Sequence, residues 1–266
     1  MKQTIVSQIS AECPWRDTLH WYDAIDSTNT RAKQLAKEQA PHGTVLIAGS
    51  QTAGRGRMGR SFSSPQQMGV YLSVILRPQC PPADLMHLTC AAAVAGCRAV
   101  EAVSGICPNI KWTNDLVYGK KKLGGILTEL SLDSRTGLVD YAIVGIGINC
   151  NQLKQDFPTE LQDMATSVRK LTGTQCAPEK LAAALVEALY QMDQMLLSQK
   201  TAIMDCYRSR CMTLNQDIMV LRGDEVRYGT AVDLDDDGGL IVRFTDGALQ
   251  TVSSGEVSVR GMYGYV

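Results

Sequence analysis

The chain has 266 residues, 45% of them hydrophobic, enough to bury a sizeable core and to hold one catalytic domain with a small appendage. Its 26 basic and 27 acidic side chains leave a formal net charge of −1, so no overall field holds a nucleic-acid backbone and any anion site must be local. Nine cysteines without a C-x-x-C pair fit reduced thiols better than a disulfide framework or zinc ribbon, residues 1–15 lack the apolar core of a signal peptide, and no apolar run is read as long enough for a membrane span, so a cytoplasmic protein is expected.

After a short leader, the alternation over residues 19–25 predicts a strand, and Asp26-Ser27-Thr28 supplies caps for a helix that runs to Ala40 and stops at Pro41-His42-Gly43. Residues 44–50 and 69–76 read as buried strands, with the polar stretch 51–67 a long loop between them. An Ala- and Val-rich segment, 83–103, predicts a helix. The runs 111–118 and 123–132 then form a strand pair around Lys120-Lys121-Lys122, and 138–149 is apolar and β-branched enough for a central strand. Pro178 opens a helix reaching residue 199, and a second helix covers 201–212. From Asn215 the chain changes to short strands with turns at Arg222-Gly223-Asp224, Asp237-Gly238-Gly239 and Asp246-Gly247, spaced as in a small β-barrel. Nine acidic against four basic residues over 215–266 argue against a nucleic-acid reader there.

Three segments carry residues suited to chemistry. Gly54-Arg55-Gly56-Arg57-Met58-Gly59-Arg60 contains G-x-G-x-x-G, but a strand follows where a dinucleotide fingerprint needs a helix. What remains is a flexible loop with three guanidinium forks that pair with carboxylate or phosphate oxygens; a solvated basic surface loop is the alternative. Lys111-Trp112-Thr113-Asn114-Asp115, then Lys122 and Gly124-Gly125-Ile126, sets a lysine suited to phosphoryl charge beside a carboxylate suited to magnesium. Lys120 and Lys121 read as an exposed turn, whereas Lys122 borders the apolar run. In Gly145-Ile146-Gly147-Ile148-Asn149 two glycines let a flat ring lie against backbone and Asn149 can read an adenine edge; a sheet bend ending in a turn explains the pattern equally well. Asp233–Gly238 opens like an EF-hand loop, but position twelve is Phe244, so it reads as a hairpin turn. His20, His42 and His87 share no ligand spacing, and neither G-x-S-x-G nor Walker A occurs.

Together, Asp26-Ser27-Thr28-Asn29, the loop 54–60, Lys111–Asp115 through Lys122–Leu127, Gly145–Asn149 and the C-terminal Gly255–Arg260 resemble biotin protein ligases in order and spacing, over about residues 20–262. The resemblance implies an α+β fold: a catalytic domain (1–213) similar to class II aminoacyl-tRNA synthetases, with helices on a mixed, mainly antiparallel sheet, then an SH3-like barrel (214–266). It implies ATP-dependent formation of biotinyl-5′-AMP, with Mg2+, and transfer of biotin to a lysine of a biotin carboxyl carrier protein.

By position, Ser27, Thr28, Asn29 and Gln51 would line the biotin pocket, with Gly54, Arg55, Gly56, Arg57, Gly125 and Ile126 closing on it and Lys122 meeting the biotin carboxylate. Arg57, Arg60, Phe62, Lys111, Asn114, Lys122 and Asn149 would hold the nucleotide, and Asp115 the magnesium. Lys122, Arg55, Arg57 and Asp115 would be the catalytic set. Two positions depart from the family pattern: Thr113 replaces the usual proline and Phe62 the usual tryptophan. Bifunctional members carry an N-terminal DNA-binding domain; fewer than 20 residues precede the first strand here, so neither DNA binding nor repression is expected. A sheet-edge homodimer and no membrane partner are expected. The competing readings are a lipoate or octanoate ligase and a non-catalytic biotin sensor.

Overall fold

The structure, a computed structural model, describes residues 1–253 and 258–261. Residues 1–18 are more than a leader. Helix α1 (Lys2–Val6) and a 3₁₀ turn at Pro14–Arg16 bury Ile5, Ile9, Cys13 and Trp15 against the main core. Strand β1 (Leu19–Tyr22) follows, and α2 (Thr28–Lys37) is capped by Ser27, whose hydroxyl accepts from the Thr30 N–H at 3.4 Å. Next come β2 (Thr44–Ala48), β3 (Gly69–Leu76), and α3 (Leu88–Ser104), which a 3₁₀ turn at Pro82–Leu85 precedes and Gly105 ends in the left-handed conformation.

The run expected as one strand over 111–118 is broken in two. Thr113 and Asn114 turn the chain between β4 (Asn109–Lys111) and β5 (Asp115–Tyr118), so the hairpin is three strands with β6 (Lys121–Leu132). Strand β7 (Val139–Asn149), the short α4 (Val168–Thr172), α5 (Pro178–Met195) and α6 (Lys200–Arg210) complete this part. Beyond it lie β8 (Asp217–Arg222), β9 (Glu225–Leu234), β10 (Leu240–Phe244), β11 (Leu249–Val252) and β12 (Ser258–Gly261).

Seven strands form one sheet in the order β1-β2-β3-β7-β6-β5-β4, with β1 parallel to β2 and every other pair antiparallel, the mixed, mainly antiparallel sheet that was expected. The other five form an antiparallel sheet, β11-β10-β9-β8-β12. The two pack around one continuous core. Met212 N–H donates to Ile110 O at 3.0 Å, and Trp112 donates from its indole to Gly238 O at 2.8 Å, tying the second sheet to β4 and its turn.

Alternation assigns the faces of the large sheet. Val70, Leu72, Val74, Val144, Ile146 and Ile148 pack with α3 and α5 in the main core. On the opposite face, α2 packs Ala32 and Ala36 against Leu46, Ile75, Tyr141 and Ile143. Against the expectation that no apolar run is long enough, Pro82–Ser104 does meet the length and composition of a membrane span. Two thirds of that window (67%) is buried, because α3 fills the gap between the sheet and α5, and apolarity all round is what a core helix requires.

Candidate active site

The site follows from register. Across the centre of the sheet Ser73 of β3 stands opposite Gly145 of β7, which stands opposite Leu127 of β6; one step along, Tyr71, Gly147 and Gly125 form the next row. Both β7 positions on this face are glycine, so the floor between the rows is bare backbone. A Cβ at Gly145 would overlap the Asn29 amide, lying 2.8 Å from its Cγ, and a Cβ at Gly147 would meet the Phe62 ring at 2.5 Å. The glycines thus seat one residue of α2 and one from the end of the arginine loop.

A cavity of about 870 Å³ opens over this floor. At one end its lining is neutral and polar. Thr28 donates from backbone and hydroxyl to Gln51 Oε1 at 2.9 and 3.2 Å, and Gln51 donates onward to Ser64 Oγ at 2.8 Å. The buried Ser73 hydroxyl lies 2.8 Å from Thr28 Oγ1 and donates to Asn29 Oδ1 at 2.6 Å, and Ser27 completes this end. Short, mutually bonded polar groups of this kind orient a small uncharged ring.

The other end is cationic. Five lining bases, Arg57, Arg60, Lys111, Lys122 and Arg260, gather there around one acid, Asp115, while a sixth, Arg55, pairs with Glu129 beside Asn29. Lys122 Nζ is 2.6 Å from Asp115 Oδ1. Lys122 itself lies within β6 rather than in the preceding turn, exchanging backbone bonds with Met164 and Thr166, each at 2.8 Å. Burial depresses the Lys111 ammonium, with Lys122, Arg60 and Arg260 adding repulsion that Asp115 offsets in part; burial likewise depresses Arg57. A cluster of like charges held this close, partly desolvated, gains most from an anion placed among them.

The arginine loop is ordered over the cavity. Arg55 and Ser61 form an isolated bridge, Gly56 N–H donates to Arg60 O at 2.7 Å, and Met58 and Gly59 supply positive φ at the tip, 53° and 73°. Arg57 reaches from this loop to Asn114 Oδ1 at 3.1 Å, while Asn114 Nδ2 donates to Ile126 O at 2.8 Å. Loop, β4–β5 turn and β6 are therefore coupled through one amide. Asn149 donates to Thr166 O at 3.0 Å and accepts from Gln152 at 3.2 Å, holding the end of β7 to the segment before α4.

All the residues expected at the site line this one cavity except Gly54. Gly54 is buried behind the wall; a Cβ there would come 2.7 Å from Ser64 Oγ, so its part is close backbone passage. The sequence reading missed Tyr71, Leu72, Phe157, Leu161, Met164 and Ala165, apolar wall residues without a chemical signature, and also Trp112, which stood inside a recognised motif. Val259 and Arg260 bring β12 of the small sheet to the cavity, while Gly255, Glu256 and Val257 of the C-terminal motif lie outside the described residues. The Asp235 turn is a hairpin as read, Asp235 N–H donating to Gly239 O at 2.9 Å. Among the described residues no cluster of three His, Cys, Asp or Glu side chains forms a metal cage.

Geometry and charge thus define one cavity that offers neutral hydrogen-bonding groups to a ligand's uncharged part and a cluster of cations to anionic oxygens. Residues 21–149 match the model of the "Biotin/lipoate A/B protein ligase family", and 213–260 that of the "Biotin protein ligase C terminal domain". The chain is 35% identical over 237 residues to the bifunctional ligase/repressor BirA of Bacillus spizizenii, covering 89% of this chain and 72% of that one. It is 30% identical over 258 residues to the biotin–[acetyl-CoA-carboxylase] ligase of Mycobacterium tuberculosis, covering 94% and 91%. The solved biotin protein ligase from Aquifex aeolicus in complex with biotin and ATP superposes with a TM-score of 0.77 at 29% identity, over 91% of this chain and 98% of that one. The chain belongs to the biotin protein ligase family.

Proposed function

We propose that this enzyme joins biotin to ATP as biotinyl-5′-AMP and passes the biotinyl group to a lysine of a biotin carboxyl carrier protein. The observation that carries the reading is a single cavity that holds both a cluster of hydrogen-bonded neutral groups and a cluster of five cations, Arg57, Arg60, Lys111, Lys122 and Arg260. The bicyclic ureido head suits Ser27, Thr28, Asn29 and Gln51, and its valeryl chain suits Gly125, Ile126 and the apolar wall.

In the first half-reaction a biotin carboxylate oxygen attacks the α-phosphorus, the bond to pyrophosphate breaks, and negative charge builds on the phosphoryl oxygens. Lys122 is suited to hold both reacting anions, and Arg55 and Arg57 to neutralise the mixed anhydride under the loop. Lys111, Arg60, Asn114, Phe62 and Asn149 complete the nucleotide's surroundings. Magnesium would neutralise the leaving pyrophosphate; a lone carboxylate fits a metal delivered on ATP phosphates rather than held in a resident cage, with Asp115 as its protein ligand. In the second half-reaction the neutral amine of the carrier lysine attacks the acyl carbon, AMP leaves and an amide forms.

The same proposal reads residues 1–213 as the catalytic domain, of class II synthetase type, and 214–266 as an SH3-like barrel that shuts one side of the nucleotide end. All nine cysteines are free thiols, which supports a cytoplasmic location. Carrier protein is the expected macromolecular partner, and a homodimer formed at a sheet edge belongs to the same proposal.

The test is incubation with ATP, magnesium and radiolabelled biotin or lipoate, with and without a carrier domain. Biotin-labelled carrier is expected. Label entering from lipoate alone would point to the lipoate reading, and labelled biotin held without any transfer would point to a sensor.

A further inference from the structure

Glu129, on β6 facing α2, lines no part of the cavity but binds two residues that do. Its Oε2 accepts from Asn29 Nδ2 at 3.0 Å, and both oxygens face the Arg55 guanidinium, at 3.1 and 3.2 Å. Lys33 Nζ lies 2.5 Å from Oε1. The second hydrogen of the Asn29 amide goes to Leu127 O at 3.3 Å, and Asn29 Oδ1 accepts from Ser73 at 2.6 Å.

An amide nitrogen has two hydrogens and an amide oxygen two lone pairs. Both hydrogens of Asn29 are spent, so the single unused capacity is one lone pair on Oδ1. A carboxylate cannot donate, and turning the amide over would set Oδ1 against a negative oxygen. The polarity of Asn29 is therefore fixed from behind. Burial pushes the Glu129 carboxyl up, but hydrogen bonds from Lys33 and Asn29 and the charges of Lys33 and Arg55 outweigh this and hold it below the usual range, so it is ionised at neutral pH.

We infer that Glu129 is a positioning residue for biotin activation: its carboxylate locks Asn29 as a hydrogen-bond acceptor aimed at the ureido N–H of the bound substrate. The inference rests on the ligase reading. In Glu129→Gln the amide oxygen is claimed by Lys33 and Arg55, so its NH2 group faces Asn29, which must turn over and offer the ligand a donor in place of the acceptor.

The experiment is biotin-dependent ATP–pyrophosphate exchange with biotin and ATP varied separately. Glu129→Gln is expected to raise the biotin KM by about 10-fold or more, leaving kcat and the ATP KM within about threefold. In an Asn29→Ala background the same change is expected to add less than about twofold, because the amide it orients is gone. Lys33→Met, which removes an ion pair of Glu129 at a residue outside the cavity wall, is expected to leave the biotin KM within about twofold. Glu129→Asp, which keeps the charge but withdraws it by one methylene, gives an intermediate KM and serves if the glutamine variant does not fold. A wild-type biotin KM in Glu129→Gln or Glu129→Asp, or an equal loss in the Asn29→Ala background, overturns the inference while leaving the ligase reading intact. Absence of exchange in the unaltered enzyme overturns both.

Discussion

Replacing Gly145 with alanine puts one methyl group where the structure leaves no room. The new Cβ would overlap Asn29 Oδ1 and sit 2.8 Å from its Cγ and 3.0 Å from its Nδ2, whereas carbon contacts settle near 3.5–4.0 Å. The amide must withdraw by roughly an ångström, and Ser73 is buried and only 2.6 Å away, so that hydrogen bond breaks or lengthens. An orphaned buried group costs about 1–3 kcal/mol and overpacking about 1–3 kcal/mol, while the reduced freedom of the unfolded chain returns up to about 1 kcal/mol. The expected loss of stability is about 1–6 kcal/mol in urea unfolding. Because Asn29 leaves its place at the neutral end, biotin affinity falls by about 10-fold or more by calorimetric titration. A Gly145→Ala protein within about 0.5 kcal/mol of the unaltered chain, binding biotin within about twofold, would refute the packing on which the neutral end is built.

The bare floor makes a second prediction at Gly147: alanine there meets the Phe62 ring at 2.5 Å and lifts the end of the arginine loop, so biotinyl-5′-AMP is expected to escape about 10-fold faster in a filter-retention assay. Thr113 Oγ1 is buried without a hydrogen-bond partner among the described residues, so Thr113→Val, nearly the same shape, is expected to stabilise the protein by about 1 kcal/mol in denaturant unfolding. Glu129 titrates below its ordinary value of 4.5, so it contributes stability above that pH and loses it as pH falls through the folded-state value. The stability gap between the unaltered protein and Glu129→Gln is therefore expected to be full at pH 7 and to shrink in acid.

What the sequence made legible was chemistry carried by local motifs. The Asp26–Asn29 cap, the arginine loop, Lys111–Asp115, Lys122 and Gly145–Asn149 each contain polar or glycine residues whose purpose is visible within a few positions, and all converge on one cavity. What sheet register decides stayed hidden. Glu129 meets Asn29 across 100 residues because β6 and β3 flank Gly145, and Ser73 looks like any polar residue in a strand. The wall from Phe157 to Ala165 is ordinary apolar sequence. Trp15 and Ile5 were passed over because few apolar residues near the N-terminus show no period, yet their partners on α5 and β2 give them burial. The strand expected over 111–118 failed at Thr113 and Asn114, where the Arg57–Asn114–Ile126 hydrogen bonds favour a turn.

Single-turnover formation of biotinyl-5′-AMP by Lys122→Ala, followed by rapid quench at saturating biotin and ATP, tests the cationic end most directly. Loss of the ammonium now 2.6 Å from Asp115 is expected to slow that step by about 100-fold or more, while biotin still binds within about threefold of its normal affinity. An unchanged single-turnover rate would contradict the account, since the ammonium beside Asp115 would then take no part in making the adenylate.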